Sequence, residues 1–269
     1  MIFTYIKVSE PMPNITPIAA LTDNYIWLLS DPMNHYATAI DPGEAAPLLA
    51  YLSNRNIELT DLLITHHHPD HVAGIPQLLK HFPRLRIYGP EHESLPFLTH
   101  PVQAAHKVTL ANLGWQFTVM AVPGHTLEHI AYYTPGHLFC GDSLFAAGCG
   151  RLFEGTPAQM WHSLTQLSAL PAATQVYAGH EYTLANLRFA LTIEPENQAL
   201  NARWQQCQQL RRQQQPTLPS TLEQELASNP FLRCQNHALL QAIGQKNPGI
   251  ELSDPIAVFA YLRQLKDCF

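Results

Sequence analysis

The chain carries four potential metal ligands within six consecutive positions. Residues 66–71 read His-His-His-Pro-Asp-His, a run that contains a His-x-His-x-Asp-His pattern formed by His66, His68, Asp70 and His71. Imidazole nitrogen and carboxylate oxygen are ligand types that suit zinc, iron and manganese. Burying such groups costs free energy unless they are paired or bound to a metal. The spacing therefore makes a metal-dependent enzyme the first hypothesis.

Three further candidate ligands each follow a glycine, shortly after a predicted strand. They are His125, Asp142 and His180. Glycine permits a tight turn that can direct the next side chain into a cleft. Taken alone, each residue would be interpreted as an ordinary polar turn residue. The cluster at residues 66–71 favours a role as ligand for all three.

The number of candidate ligands decides the chemistry that we expect. Seven ligands are too many for one tetrahedral zinc ion, but they suit two divalent ions that share a bridging carboxylate. The predicted ligands are His66, His68 and His125 for one ion, Asp70, His71 and His180 for the other, and Asp142 as the bridge. Two ions about 3.5–4 Å apart can share a hydroxide and polarise a substrate oxygen. Asp70 and Asp142 are thus the predicted catalytic carboxylates, acting with that hydroxide, and zinc is the favoured metal over iron or manganese.

Composition limits the partners and the cellular location that we expect for the protein. The chain has 269 residues and a net charge of −6, which argues against nucleic acid and anionic membrane surfaces as partners. No apolar run has the length of a membrane span, and the first residues lack the pattern of a signal peptide. The five cysteines are scattered and form no CxxC pair, as is typical of free thiols in a reducing cytoplasm. We therefore expect a cytoplasmic protein that acts on a small molecule as a monomer.

Strand signals dominate the first two-thirds of the chain, and helical signals dominate the rest. Short apolar runs bounded by turn residues predict strands at Ile26–Ser30, Ala37–Ile40, Leu62–Thr65, Arg86–Tyr88, Trp115–Val122, Ile130–Thr134, Leu138–Cys140 and Gln175–Ala178. We therefore place an α/β domain at residues 1–180 and an all-helical domain at residues 181–269. Residues 1–11, before Met12, are expected to be a dispensable extension.

Helix signals are clearest where a capping residue precedes a periodic segment. A helix is predicted over residues 45–54, and Thr156 followed by Pro157 predicts another through Leu167. Residues 204–211 place apolar side chains on one helix face, which favours a solvated helix over disorder. A capping box that starts at Ser220 and a last helix that starts at Asp254-Pro255 complete the helical part.

The combined motifs Thr-His-x-His-x-Asp-His, Gly-His-Thr, Gly-Asp and Gly-His resemble those of the metallo-β-lactamase superfamily. This resemblance covers about 180 residues and implies an α/β (α+β) fold, an αββα sandwich with metals at one edge. Longer segments are similar to glyoxalase II, the hydroxyacylglutathione hydrolases. They are residues 23–27, 141–151, 154–156, 179–183 and 229–233, and the terminal Arg-x-x-Lys-Asp at residues 263–267.

The resemblance to glyoxalase II implies a particular substrate and a set of contacts to it. The family hydrolyses S-D-lactoylglutathione and related S-2-hydroxyacylglutathiones to glutathione and the hydroxy acid, the second step of methylglyoxal detoxification. The glutathione contacts that it implies are Arg151, Phe153, Tyr182, Arg263 and Lys266. Arg263 and Lys266 would share one face of the last helix, although a solvated helix end accounts for their spacing equally well. Packing alone could account for Tyr182.

One residue departs from the family pattern, and other functions stay open. Glu128 stands where the family usually has glycine, so it would either strain the backbone or hydrogen-bond a ligand histidine. The alternatives are another hydrolase of the superfamily and a glutathione persulfide dioxygenase, which would not need the basic residues near the end of the chain. A nuclease would need a basic groove, and a non-catalytic binding protein would be expected to lack a ligand.

Overall fold

Two six-stranded sheets form the framework of the protein, seen in a computed structural model that describes residues 13–33, 35–247 and 249–269. The predicted extension at residues 1–11 lies outside the described residues. The first sheet has the order β1-β2-β3-β4-β5-β6, with β1–β3 antiparallel and β3–β6 parallel. Its strands are β1 (Asn14–Ala20), β2 (Asn24–Ser30), β3 (Tyr36–Ile40), β4 (Glu58–Leu63), β5 (Arg86–Gly89) and β6 (His100–Pro101).

The second sheet has the order β14-β13-β10-β9-β8-β7 and is antiparallel apart from the β10–β13 pair. Its strands are β7 (Lys107–Leu110), β8 (Trp115–Ala121), β9 (Ile130–Thr134), β10 (His137–Gly141), β13 (Gln175–Ala178) and β14 (Ser220–Thr221). A short hairpin of β11 (Leu144–Phe145) and β12 (Gly148–Cys149) follows β10. The parallel pair places the ends of β10 and β13 side by side.

Nine α-helices are found among the described residues. They are α1 (Ala45–Ser53), α2 (Pro69–Val72), α3 (Ile75–His81), α4 (Pro157–Ser168), α5 (Thr183–Ile193), α6 (Gln198–Arg212), α7 (Leu222–Ser228), α8 (His237–Lys246) and α9 (Pro255–Asp267). A 3-10 helix, Pro230–Leu232, lies between α7 and α8. None of these helices is long and apolar enough to cross a membrane.

Strand β2 shows why the sheets stack face to face. All seven of its residues are buried, so it is covered on both sides. Trp27 and Leu29 belong to the core between the two sheets, whereas Ile26 and Leu28 belong to the core under α1 and α3. The indole N–H of Trp27 donates to the carbonyl of Ala178 in β13, at 2.9 Å, and ties the sheets together. The predicted αββα sandwich is confirmed.

The last helix folds back over the α/β sandwich because its apolar face is covered there. Val258, Phe259 and Leu262 of α9 are fully buried, and the Phe259 ring lies 5.7 Å from that of Phe231 in the 3-10 helix. The ring of Trp161 in α4 lies 6.5 Å from the Phe259 ring. This packing brings the end of α9 beside β12, where Arg263 donates to the carbonyl of Cys149.

Several predicted boundaries were wrong, among them the start of β4, which lies at Glu58 rather than at Leu62. The strand predicted at Leu62–Thr65 ends at Leu63, because the Thr65 N–H turns to donate to the carboxylate of Asp41 at 2.8 Å. The capping box predicted to start at Ser220 starts at Thr221, because Ser220 pairs with Val176 in the sheet. Strands β6, β7, β11, β12 and β14 and helices α2, α3, α5 and α8 were not predicted. The capping box at Thr156 is confirmed.

Candidate active site

The loop after β4 places four side chains around one point. His66 lies directly after the turn at Thr65, and His68 is the N-cap residue of α2. Pro69 occupies the first turn of that helix, where its missing N–H costs nothing, so Asp70 and His71 follow in helical geometry. The four-residue helix α2 thus places Asp70 and His71 in one group of potential ligands, whereas His66 and His68, which precede it, belong to another.

The first group of predicted ligands consists of three histidines. One ring nitrogen each of His66, His68 and His125 lies within 4.8 Å of the others. His125 Nε2 and His68 Nδ1 are 3.0 Å apart. Burial lowers the pKa of all three imidazoles, most strongly for His66. The group is therefore neutral at pH 7, which is the metal-binding form of imidazole.

The second group consists of Asp70, His71 and His180. His180 Nε2 lies 3.3 Å from both Asp70 Oδ2 and His71 Nε2, and His71 Nε2 lies 3.4 Å from the same carboxylate oxygen. Burial raises the pKa of Asp70, but the hydrogen bond from His180 and the charge of His71 outweigh it and keep the carboxylate ionised. This group offers one charged oxygen and, once a metal displaces the protons of His71 and His180, two nitrogens.

Asp142 lies between the two groups. Its Oδ2 is 3.3 Å from His180 Nε2 and 3.5 Å from His125 Nε2, and its Oδ1 is 3.3 Å from His71 Nε2. Burial lowers the pKa of His71 and His180, but the Asp142 charge outweighs it and raises the pKa of His180 to about 10. One carboxylate thus contacts both groups, which is the placement that a bridging ligand requires.

The spacing of these atoms fits ligands gathered around metal ions. Ligand nitrogens about 2.0–2.1 Å from a tetrahedral ion lie about 3.3 Å from one another, close to the 3.0–3.5 Å measured here. His66 Nε2 and Asp142 Oδ1 are moreover buried without a hydrogen-bond partner. Orphaned polar atoms of this kind are rare in native interiors and need an explanation. The His and Asp clusters therefore form a divalent metal centre.

Polar groups behind the ligands fix which nitrogen faces the centre. His71 Nδ1 lies 3.1 Å from Asp41 Oδ2, His180 Nδ1 lies 2.8 Å from Asp23 Oδ1, and His125 Nδ1 donates to the carbonyl of Arg151 at 2.8 Å. Such partners orient metal-binding imidazoles and set their tautomer. Asp41 was not predicted to take part in the site. Its Asp-Pro-Gly sequence indicates a turn, at which its φ is +52°, and nothing local indicates its long-range partner.

Glycines precede Asp142 and His180 because neighbouring side chains leave no room for a Cβ. Gly141 has a φ of +49°, and a Cβ there would lie 2.3 Å from Thr65 Oγ1. A Cβ on Gly179 would lie 2.6 Å from Asp142 Oδ1 and 2.8 Å from His71 Cε1. The expected tight turn is present at Gly141. At Gly179 a glycine is needed because Asp142 and His71 approach its backbone closely.

A cavity of about 630 Å³ opens onto the metal centre. Ligand side chains at its base include His68, Asp70, His125, Asp142 and His180. All five residues predicted to contact glutathione line the same cavity, namely Arg151, Phe153, Tyr182, Arg263 and Lys266. Sequence reasoning missed Phe145, Ala185 and Asn186, which also line it.

Three cations form one side of this cavity, which we call the cationic wall: Arg151, Arg263 and Lys266. Arg263 is buried and donates to the carbonyl of Cys149 at 2.9 Å. The Asp267 carboxylate joins two members of the wall, lying 3.0 Å from Arg263 and 3.2 Å from Arg151. Burial, together with the charge of Arg263, lowers the pKa of Lys266 to about 8.

Two aromatic rings lie between the metal centre and the rim of the cavity. Tyr182 stacks on His180 with ring centroids 4.6 Å apart and planes 5° apart. Phe153 presents its ring to the edges of His68 and His125, at 5.4 and 5.3 Å, and is 61% exposed. Each ring therefore contacts a predicted metal-ligating histidine and is also partly exposed.

Glu128 does not strain the backbone. The described non-glycine residues with positive φ do not include it, so a side chain is tolerated at that position. Its carboxylate contacts His67, with Oε1 2.5 Å from Nδ1, rather than any of the seven predicted ligands. His129, the next residue along the chain, accepts the Asp142 N–H at 3.2 Å and stacks on His66.

Fold and site together define a known superfamily. Residues 36–180 match the family described as the metallo-beta-lactamase superfamily. A metallo-beta-lactamase structure from Staphylococcus aureus aligns with a TM-score of 0.62 at 19% identity, covering 96% of this chain and 72% of that one. At this identity the likeness supports the fold alone.

Full-length relatives identify the family within that superfamily. Residues 181–269 match the hydroxyacylglutathione hydrolase C-terminus. The hydroxyacylglutathione hydrolase of Pseudomonas aeruginosa is 48% identical over 262 residues, and that of Nitrosomonas eutropha is 45% identical over 258. Each alignment covers 96% of this chain and 100% of the relative. The chain belongs to the hydroxyacylglutathione hydrolase family, and the predicted resemblance to glyoxalase II is confirmed.

Proposed function

We propose that this protein hydrolyses S-D-lactoylglutathione and related S-2-hydroxyacylglutathiones to glutathione and a 2-hydroxy acid. One observation carries the proposal: a single cavity joins the cluster of metal-ligating side chains to the cationic wall. A thioester carbonyl and a peptide carboxylate must both be bound if this substrate is to react. The cavity provides a partner for each.

His66, His68 and His125 would hold one divalent ion, and Asp70, His71 and His180 the other, with Asp142 contacting both. Bound there, the ions would lower the pKa of water toward about 7 and polarise the thioester carbonyl. Zinc suits the mixture of imidazole and carboxylate, and iron or manganese would also be accepted. Because Asp70 and Asp142 stay ionised, they act as ligands and charge partners rather than as proton donors.

The cationic wall would bind the peptide part of the substrate. Glutathione carries two carboxylates and one ammonium group, so a local positive patch is needed in a protein whose net charge is −6. Lys266 and the half-exposed Arg151 can donate to a carboxylate, while buried Arg263 holds the wall against Cys149. Tyr182 and Phe153 would enclose the acyl and sulfur region beside the metal centre.

The leaving group explains why a strong general acid is unnecessary. Collapse of the tetrahedral intermediate expels a thiolate, whose conjugate acid has a pKa of about 8.5 by comparison with cysteine. The thiolate can therefore leave without prior protonation. Cys149 and Ser143 are buried and hydrogen-bonded in place, so the described site gives neither of them the role of nucleophile.

Other expectations extend this proposal. Residues 181–269 would serve as the glutathione-binding domain, and residues 1–180 as the catalytic domain. The monomeric state and the cytoplasmic location stay predictions. Sedimentation or size-exclusion measurements test the first, and fractionation of cells tests the second.

The proposal is tested by incubating the purified, metal-loaded protein with S-D-lactoylglutathione. We expect loss of thioester absorbance with release of one free thiol per thioester, and loss of both after treatment with a chelator. Restoration by added zinc would link the activity to the metal centre. A folded, metal-loaded sample that leaves this thioester intact would contradict the proposal.

A further inference from the structure

A second group of potential ligands lies on the outer side of the loop that carries His66 and His68. His67, His92 and Glu128 each offer one ligand atom, and these atoms all lie within 4.8 Å of one another. The three side chains are half-buried, so solvent reaches the group. None of them belongs to the centre described above.

The three residues come from separate loops that the fold brings together. His67 lies between β4 and α2, His92 lies between β5 and β6, and Glu128 precedes β9. The imidazole rings of His67 and His92 are parallel within 8°, with centroids 4.0 Å apart, so their edges lie side by side. Because a metal ion lies in the plane of each imidazole that binds it, coordination by both rings requires the half-buried His92 ring to tilt out of this stack.

We propose that His67, His92 and Glu128 form an auxiliary site for a divalent transition-metal ion such as zinc. Two histidines and one glutamate are a ligand set that zinc accepts, with a fourth position left to water. His67 Nδ1 and Glu128 Oε1 are 2.5 Å apart, so an ion bound by both takes the place of their hydrogen bond.

A carboxylate on the far side of His67 supports this assignment. Glu154 Oε1 lies 3.5 Å from His67 Nε2, and Glu154 also accepts the backbone N–H of Leu127 at 2.8 Å. A carboxylate that holds the remote nitrogen of an imidazole directs the other nitrogen to a metal and raises its basicity. His92 Nδ1 accepts an exposed hydrogen bond from the Ser94 N–H. Coordination through this nitrogen replaces that hydrogen bond with a bond to the ion.

Glu128 supplies the carboxylate of this site. Burial raises the pKa of Glu128, but the hydrogen bond from His67 outweighs it and leaves the carboxylate ionised at neutral pH. An ion held there would connect three loops, including the one that presents His66 and His68. We therefore expect it to stabilise that loop without taking part in turnover.

The test is a count of zinc ions per chain after equilibrium dialysis of the holoenzyme against buffered micromolar zinc. We expect the wild type to bind one ion per chain more than Glu128→Gln and His92→Ala. Glu91→Gln, which changes an exposed neighbouring carboxylate, is the matched control and should bind as the wild type does. Glu154→Gln should keep the site but weaken it by about 10–100-fold.

Thermal unfolding gives a second readout that does not depend on activity. Added zinc should raise the Tm of the wild-type holoenzyme more than that of Glu128→Gln, because a ligand that binds only the folded state stabilises it. Equal zinc counts and equal shifts in Tm for wild type, Glu128→Gln and His92→Ala would overturn the assignment. His67, Glu128 and His92 would then be an ordinary hydrogen-bonded cluster.

Discussion

The metal centre and the cationic wall face the same cavity but are built in different ways. The ligands in the metal centre lie in loops that follow strands or, for Asp70 and His71, in the short helix α2, and partners such as Asp41 and Asp23 hold their geometry. The cationic wall combines Arg151, from the loop before α4, with two residues of α9 more than 100 positions later. The segments that follow the strands form the metal centre. The cationic wall forms only when the distant helix α9 packs against them.

This difference separates chemistry from substrate choice. The metal centre lies on the α/β sandwich, which other members of the superfamily share. The cationic wall depends on residues 255–267, which fall within the part matched by the hydroxyacylglutathione hydrolase C-terminus. Damage to the first region should therefore abolish turnover of any substrate. Damage to the second should weaken binding of glutathione thioesters in particular.

The largest expected effect comes from Asp142→Ala, which removes the carboxylate that contacts both groups of ligands. Loss of one oxyanion-stabilising group costs about 10²–10³ in kcat, and losing a contact shared by both ions should cost at least that much. Metal analysis and a thioesterase assay measure the result. Near-normal turnover with two bound ions would show that Asp142 is not the bridge. Asp31→Asn, at an exposed turn, is a control.

The next effect tests the support behind the ligands. Asp41→Asn keeps the shape of a residue at φ +52° but removes the charge that faces His71 Nδ1. Partners of this kind typically contribute about 10–100-fold to metal affinity. Competition with a chromophoric chelator should show a loss of that size, with KM little changed once metal is saturating. A purely structural role for Asp41 would lower the Tm and leave metal affinity intact.

The cationic wall should respond in KM rather than in kcat. Lys266→Ala removes a half-buried ammonium whose hydrogen bond to a carboxylate would contribute about 1.5–3 kcal/mol when fully desolvated, so we expect KM to rise about tenfold. Arg263→Ala combined with Lys266→Ala should raise it further. Because Arg263 also holds the carbonyl of Cys149, the double variant needs a check of its Tm. An unchanged KM would remove the cationic wall from substrate binding.

The smallest effect concerns pH. The pKa of Lys266 is lowered to about 8, chiefly by burial, so the side chain loses its charge as the pH rises through that value. KM for the anionic substrate should therefore be lowest below pH 8 and increase several-fold toward pH 9. Lys266→Arg, which stays charged over this range, should remove the increase. The same increase in both proteins would place the titrating group elsewhere, for example on the substrate amine.

The contrast between the two regions also explains what the sequence could predict. The ligands were visible because His66, His68, Asp70 and His71 are adjacent in sequence and the others follow short apolar runs beside glycine. Asp41 could not be recognised, since its partners at Thr65 and His71 are 24 and 30 positions away. The contact between Glu128 and His67 was hidden for the same reason, with a separation of 61.

Segments without strong local signals were the ones that sequence patterns missed. Strand β7 reads Lys-Val-Thr-Leu and alternates polar with apolar residues, so it lacks the continuous apolar run that marks the equally short strand β13. Helix α5 follows Tyr182, which makes no side-chain cap, so no start signal marks it. The placement of α9 against α4 depends on tertiary packing, which motif spacing does not encode.

The central claim is that metal centre and cationic wall act together on one glutathione thioester. Comparing kcat/KM for S-D-lactoylglutathione with that for S-D-lactoyl-N-acetylcysteamine tests this directly, because both carry the same acyl group and only the first carries carboxylates. With the metal-loaded wild type we expect a preference of at least about 100-fold for the glutathione thioester, from charged hydrogen bonds of about 1.5–3 kcal/mol each. Equal kcat/KM for the two thioesters, or no hydrolysis of either, would contradict the account.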